Sequence, residues 1–238
     1  MEIPAATEIN GADAARRLSS LQSYPSGSAA LDRLLGGGYK AGRVAEFFGK
    51  SNSGKTQLAM QAVLCAARAG VNSLFIDTEG SFRPERLEEV ARVRGWKVEG
   101  LLERILFLRV DSFSEQMELV SRMGRREATR ACRVVVLDTL TRNFSLELPG
   151  SSNLASRQGA INVHLSQMAR DAYLNGRAYV LTNRVTFGPS KEVSIGGSTV
   201  EQLVGACVRL ERDGDRVRAT HLGTGESAIA SLGPGGVD

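Results

Sequence analysis

Cysteine, histidine and long apolar runs are scarce in this chain, and each scarcity excludes something. The three cysteines, Cys65, Cys132 and Cys207, form no C-x-x-C pair, and an odd count argues against a disulfide framework, so a reducing cytosol is the natural setting. Two histidines, His164 and His221, are too few for a zinc site and read as a core-helix residue and a surface-strand residue. No apolar run approaches transmembrane length, and Met1 to Ser20 carries no apolar signal core. A soluble, cytoplasmic protein with no membrane partner is expected. No internal repeat is visible. Hydrophobic content of 42% and charged content of 24% are ordinary for a globular protein. The net charge of +4 permits an anionic partner such as nucleic acid without demanding one. At 238 residues the chain suits one α/β domain able to bury most of its surface.

What is present is a glycine-framed loop. Gly49-Lys50-Ser51-Asn52-Ser53-Gly54-Lys55-Thr56 reads G-x-x-x-x-G-K-T, the Walker A phosphate-binding pattern. An apolar segment, Val44 to Phe48, runs into it, and a helix-period segment, Thr56 to Arg68, runs out. Gly49 and Gly54 let the backbone turn so that successive N–H groups converge on an anion, and the helix adds its positive end. Lys55 then reaches the β- and γ-phosphates, Thr56 sits on Mg²⁺, and Gln57 follows on the helix. The pattern implies a bound nucleoside triphosphate, ATP with Mg²⁺.

Strand and helix patterns alternate around this loop. Leu31, Leu34 and Leu35 have helical spacing, with Ser28 as N-cap and Gly36-Gly37-Gly38 as stop. Residues 1–20 read as a lead-in with a short helix from Asp13 to Leu21. Val71 to Asp77, Ile105 to Val110, Arg133 to Asp138 and Ala178 to Leu181 read as buried strands. Helices are expected from Pro84 to Arg94, from a Ser114 cap to about Ala131, and from Asn153 to Leu174, with a polar loop from Thr141 to Ser152. Such alternation predicts parallel βαβ units in a twisted sheet flanked by helices. Near the end, Asp213-Gly214 predicts a two-residue hairpin turn, pairing Leu210 with Val217 and Val208 with Ala219 on the core face. The same register opposes Glu211 to Arg216, and Arg209 to Arg218, on the outer face. Ser227 to Leu232 adds a last strand, and Gly233 to Asp238 is expected as a loose tail. The core is thus placed at residues 21–232.

Two carboxylates stand out. Asp138 ends an apolar strand downstream of the loop, where an aspartate can hold the Mg²⁺ shell. Glu79 follows Phe75-Ile76-Asp77-Thr78 at a strand's C-terminal end, where a carboxylate can orient and deprotonate water. Asp77 competes for that role but lies within the strand.

The stretch from Asp77 to Leu87, Asp-Thr-Glu-Gly-Ser-Phe-Arg-Pro-Glu-Arg-Leu, closely resembles a signature of the RecA-like recombinases of archaea and eukaryotes, the RadA group. The resemblance spans nearly the whole chain. Gly27 to Gly38 looks like that family's first core helix, Gly54 to Gln57 like its phosphate loop, and Leu137 to Thr141 like its Walker B segment. Leu181-Thr182-Asn183 is similar to the strand before its second DNA loop, and Ile195-Gly196-Gly197 to a motif in or just after that loop. The resemblance implies a RecA-like ATPase core with Glu79 as catalytic base, acting in homologous recombination and DNA repair. It implies single-stranded DNA as a partner, held after the Walker B strand and after the Thr-Asn strand. Arg142 and Arg157 flank the first of these loops, with Arg157-Gln158 matching an Arg-Gln pair of the family. Lys191, Gly196 and Gly197 belong to the second. A basic run, Arg122 to Arg133, is read as a solvated helix face. Ile9-Asn10-Gly11-Ala12 sits where the family carries Phe-x-x-Ala, a peptide that docks on a neighbouring core, so Ile9 and Ala12 are candidate contacts to a recombinase or to a second copy.

Departures from the family pattern are informative. The family's helix-hairpin-helix N-terminal domain is not expected before the core, and the second DNA loop is short, both resembling archaeal RadB-type paralogues. Arg184 replaces a glutamine thought to sense the γ-phosphate, and is open to two roles, direct γ-phosphate contact or pairing with Glu79. Thr220 to Gly225 lacks the Asp-Ser-Pro segment with which a neighbouring recombinase subunit caps ATP. Three readings follow: a DNA-dependent ATPase, an ATP-locked mediator that binds a recombinase, or a KaiC-like signalling ATPase.

Overall fold

Four consecutive apolar residues, Val134 to Leu137, require apolar contact on both faces of a pleated strand. Val134 and Val136 belong to the buried cluster containing Leu58, Leu64 and Phe75, while Val135 and Leu137 belong to the opposite one, with Leu165, Met168 and Tyr179. The sheet is therefore covered on both sides. The structure, a computed structural model, describes residue 12 and residues 21–123, 126–187 and 192–238.

The described part opens with a small ribbon of β1 (Ser23–Tyr24) and β2 (Tyr39–Lys40), which brackets helix α1 (Ala29–Leu34). Ser28 caps α1 as expected, accepting from the Leu31 N–H. Then follow β3 (Arg43–Gly49), α2 (Lys55–Arg68), β4 (Ser73–Asp77), α3 (Pro84–Val93), β5 (Ile105–Arg109), α4 (Phe113–Arg122) and α5 (Glu127–Arg130). Next come β6 (Val134–Asp138), α6 (Arg142–Glu147), α7 (Leu154–Asn175) and β7 (Ala178–Asn183). A second ribbon, β8 (Val185–Phe187) with β9 (Glu192–Ser194), leads through α8 (Gly197–Leu203) to β10 (Ala206–Asp213), β11 (Arg216–His221), β12 (Ser227–Gly233) and β13 (Gly236–Val237). The main sheet has the order β13-β12-β11-β10-β3-β7-β6-β4-β5. Strands β10 to β5 in that order are parallel, and the three at the other edge are antiparallel. The expected mainly parallel sheet with a C-terminal antiparallel hairpin is present.

The hairpin register differs from expectation by two residues. Leu210 pairs with Ala219, Glu211 with Arg218, and Asp213 with Arg216. The turn is Gly214-Asp215, with Gly214 at φ 58 in the first central position and only that residue left-handed, the arrangement a type II′ turn needs. A slip of two keeps every side chain on its face, so Val208, Leu210, Val217 and Ala219 are still buried. It also removes the expected Arg209–Arg218 opposition, because Arg209 faces Thr220.

Three further expectations are corrected. Ser112, not Ser114, caps α4, because Ser112 has the extended backbone of an N-cap and its hydroxyl accepts from the Glu115 N–H at 3.2 Å. The helix expected to reach Ala131 is two helices, α4 and α5, and the polar loop after Leu140 contains α6. Most of the expected Asp13–Leu21 helix lies outside the described residues.

The last six residues are packed rather than loose. Val237 is buried. The Gln61 amide accepts from the Val237 N–H and donates to the Val237 and Ser26 carbonyls, each at 2.8 Å. Arg94 reaches Gly235 O, Val237 O and the Asp238 carboxylate. Replacing Gln61 with Ala removes the partner of the Ser26 carbonyl and of the Val237 N–H, while the Val237 carbonyl keeps Arg94. A loss of about 2–3 kcal/mol is expected, from the cost of unsatisfied polar groups, measured as a lowered urea midpoint.

Candidate functional site

Four adjacent parallel strands bring their C-terminal ends to one edge of the sheet, where α/β proteins gather ligands. β3 ends at Gly49, β4 at Asp77, β6 at Asp138 and β7 at Asn183. Their register sets Asp77 beside Asp138, and Phe48 beside Asn183.

The loop leaving β3 has the geometry expected of Gly49 to Thr56. A Cβ at Gly49 would meet the Leu210 carbonyl at 2.4 Å and Ser53 Oγ at 2.7 Å, so only glycine fits. Gly54 is left-handed at φ 97, and Asn52, at φ 63, is the one described non-glycine residue with positive φ. The first turn of α2 then presents backbone N–H groups that have no acceptor within a helix. Lys55 Nζ lies along the loop, donating to Gly49 O at 2.9 Å, Lys50 O at 2.6 Å and Ser53 Oγ at 3.3 Å. Burial lowers its pKa from the ordinary lysine value, Asp138 and Glu79 oppose the shift, and Arg184 adds to it. Ser53 is buried, Ser51 is exposed, and Lys50 pairs with Glu192 at 3.0 Å.

Asp138 is the hub of the hydroxyl network. Its Oδ2 accepts from Thr56 Oγ1 at 2.9 Å and Ser81 Oγ at 2.7 Å, and its Oδ1 from Thr182 Oγ1 and from Thr139 Oγ1 at 3.3 Å. The peptide after it, Asp138–Thr139, is cis. Among the described residues no cluster of three or more His, Cys, Asp or Glu side chains could hold a metal by itself. The Thr56–Asp138 pair instead suits Mg²⁺, which keeps phosphate oxygens and waters in its shell and takes few ligands from protein.

Asp77 is committed to structure. Its carboxylate accepts from the backbone N–H groups of Glu79, Gly80, Ser81 and Phe82, and Arg109 lies 3.4 Å away. That cage folds the loop so that Glu79 sits at the rim with its carboxylate free of the backbone. There Arg184 holds it: Nη2 and Nε of Arg184 donate to Glu79 Oε1 at 2.7 and 3.1 Å. Of the two roles left open for Arg184, the pairing is the one seen. Both groups are partly exposed, 26% for Glu79 and 57% for Arg184, so the pair contributes about 1 kcal/mol at most and can be exchanged for another anion.

Beside the loop lies a cavity of about 440 Å³, walled by Thr56, Gln57, Arg86, Arg212 and Leu232. Arg86 donates to Gln57 Oε1 at 2.8 Å and to the Gly233 and Pro234 carbonyls, joining α3, α2 and the terminal segment around this cavity. Three residues of this site were not singled out from sequence: Ser81, Thr182 and Arg86. Each lies inside a stretch that was, and a count of hydroxyls near Asp138 would have drawn notice to the first two.

The residues expected to meet DNA occupy other positions. Arg142 Nη1 donates to the Thr78 carbonyl at 2.8 Å, and Arg157 Nη1 to Leu148 O at 2.6 Å, so each uses one terminal nitrogen to pin a loop. Gly196 is the left-handed N-cap of α8, with Val200 so close that a Cβ would meet it at 2.4 Å; Gly197 opens the helix. Lys191 and Ile9 lie outside the described residues, and Ala12 is exposed. His164 is buried on α7, where burial lowers its pKa to about 3, and Gln116 contacts its Nε2. His221 is half-buried near the end of β11.

The Rad51 family profile matches residues 17–231. Among curated proteins, the chain is 34% identical over 235 residues to a DNA repair and recombination protein RadA from Metallosphaera sedula, covering 91% of this chain and 72% of that protein. It is also 34% identical over 210 residues to the RadA protein of Ignicoccus hospitalis, covering 84% of this chain and 63% of that protein. The expected kinship with RecA/RadA recombinase cores is therefore present.

Replacing Lys55 with Ala removes the ammonium that lies along the loop. With ATP and Mg²⁺ at about 100 times the dissociation constant, the native chain should gain about 2.7 kcal/mol from mass action. The variant should gain almost none, as read by thermal unfolding with and without nucleotide.

Proposed function

The chain belongs to the Rad51 family, and on that premise we propose that it is an ATP-binding, DNA-dependent ATPase of recombination and repair. The observation that carries this reading is the convergence of Lys55, Thr56, Asp138 and Glu79 from three strand ends on one loop. Lys55 and the α2 N-terminus bind the β- and γ-phosphates, and Thr56 with Asp138 holds Mg²⁺. The ion, when bound, neutralises charge that develops on the phosphate oxygens. Glu79 accepts the proton of the attacking water at a carboxylate oxygen. The cavity by Gln57 and Arg86 receives the rest of the nucleotide, with the Arg86 guanidinium as a planar face for the base.

DNA is assigned to the same end of the sheet. Arg142 and Arg157 retain guanidinium donors beyond those pinning the loops, and Lys191, Gly196 and Gly197 follow β7. Single-stranded DNA held through phosphates is bound without sequence preference. A recombinase or a second copy is the protein partner, through Ile9 and Ala12. Edge strand β5, where Phe107 is 40% exposed, offers unpaired backbone for an added strand.

The Arg184–Glu79 pair favours a second reading. With its base held by a cation, the chain would bind ATP, turn over little and act as an adaptor on a recombinase. The short second loop is consistent with the same idea.

Two measurements separate and test these readings. Glu79→Gln should lower the DNA-stimulated rate by about 10²–10⁴, the usual contribution of a general base. A rate equal to that of the native chain removes Glu79 from the mechanism. Arg184→Ala should raise the basal rate if the ion pair restrains the base, and lower it if Arg184 serves the γ-phosphate. For DNA, Arg157→Ala should reduce the slope of log affinity against log salt by about 0.7, the value for one phosphate contact on a single strand. An unchanged slope in filter binding removes Arg157 from the interface.

A further inference from the structure

Below the phosphate loop lies a carboxylate that takes no part in the chemistry above. Glu46, three residues before Gly49 on β3, is fully buried. Its Oε1 accepts from Ser194 Oγ at 2.5 Å and from Asn183 Nδ2 at 2.8 Å, and the Cys207 thiol donates to its Oε2 at 3.2 Å. Asn183 is saturated in turn. Its Nδ2 also meets Ser194 Oγ and Ile195 O, both at 2.8 Å, while its Oδ1 accepts from Thr141 Oγ1 at 2.7 Å and from the Arg184 N–H at 2.9 Å. One connected network thus ties the strand that carries the phosphate loop to four other segments. These are Thr141 after the Asp138 strand, Asn183-Arg184 facing Glu79, the end of β9, and Cys207 on β10.

A buried carboxylate costs several kcal/mol unless well bonded. Among the described residues this one has three neutral donors and no cationic partner. Burial pushes its carboxyl above the ordinary value, against the three hydrogen bonds. Packing alone would be served by an apolar side chain; what a carboxylate adds is the ability to accept several donors at once and fix their relative positions. A second strut runs parallel to it on the surface, from Lys50 in the loop to Glu192 on β9 at 3.0 Å.

We propose that Glu46 is a positioning residue that holds Asn183 and Ser194 in register with the phosphate loop, so that nucleotide on Gly49–Thr56 is felt at Arg184 and at the β8–β9 ribbon. This rests on the reading of that loop as a nucleotide site. Because the hub is tightly packed, a shift at the end of β3 moves its partners instead of being absorbed locally.

The test is hydrogen exchange on the full chain, with and without a non-hydrolysable ATP analogue and Mg²⁺, for the native protein, Glu46→Ala and Glu46→Gln. In the native chain the analogue should slow exchange both at residues 49–56 and at residues 184–187 and 192–195. Glu46→Ala should keep the first effect and reduce the second at least about fivefold, the lower range of allosteric couplings. Glu46→Gln, which retains an acceptor oxygen for Ser194 and Asn183, should restore most of it. If Glu46→Ala fails to fold, Ser194→Ala, which removes the Ser194 hydroxyl from Glu46 and Asn183 but keeps the Asn183–Glu46 bond, should show the same selective loss at residues 192–195. Protection at 49–56 without protection at the ribbon in the native chain overturns the proposal alone. An undiminished ribbon response in Glu46→Ala, or in Ser194→Ala where that variant replaces it, also overturns it. No protection at 49–56 overturns the nucleotide reading, and the proposal with it.

Discussion

Asp138 sits at the end of a strand buried on both faces, where a carboxylate has no water to lean on and must be met by donors. It is met by hydroxyls: Thr56 from α2, Ser81 from the loop after β4, Thr182 from β7 and Thr139 from its own strand end. Those bonds couple four separate segments, so the spacing between the phosphate loop and the Glu79 loop is set by one anion. The same bonds leave Thr56 beside Asp138, the arrangement from which a magnesium shell is completed by phosphate and water. A single interaction thus joins the loops here and, on the proposed reading, would also serve to hold the ion.

Around that centre the chain separates structural carboxylates from available ones. Asp77 is wrapped by four backbone N–H groups and Glu46 by Ser194, Asn183 and Cys207, whereas among the described residues the Glu79 carboxylate meets a partly exposed arginine alone. A carboxylate whose lone pairs are spent on backbone cannot take a proton from water without unfolding its loop. One held by a surface ion pair can exchange partners at small cost. Arg184 therefore acts on the carboxylate proposed here as the base, and the buried amide of the preceding Asn183 ties that arginine's backbone to the P-loop strand.

Much of this was legible in the chain. The G-x-x-x-x-G-K-T pattern forces its own conformation, because glycine at Gly49 and Gly54 is demanded by contacts and by φ, and helix capping and strand patterns are local. The parallel sheet followed from alternation, and Asp138 and Glu79 from their places at strand ends. Errors arose where competing local solutions are nearly equal in energy. Asp213-Gly214 and Gly214-Asp215 are both acceptable turns, and both put Val208, Leu210, Val217 and Ala219 on the core face, so burial does not choose between them. Ser112 and Ser114 are both capable caps. The terminal Gly-Pro-Gly-Gly segment lacks any periodic signal, yet Gln61 and Arg94, about 140 to 180 residues away, supply the partners that order it.

By itself, then, the sequence determined the phosphate loop, the strand-ending carboxylates and the fold class, since these depend on backbone conformation and on side-chain period over a few residues. Only the tertiary structure decided that Asp77 is spent on its loop, that Arg184 faces Glu79, that Arg86 and the terminal segment wall the cavity beside the phosphate loop, and that Glu46 joins the loop to β9. These are contacts between residues tens to well over a hundred positions apart, and their geometry comes from sheet order and register, which no local pattern encodes.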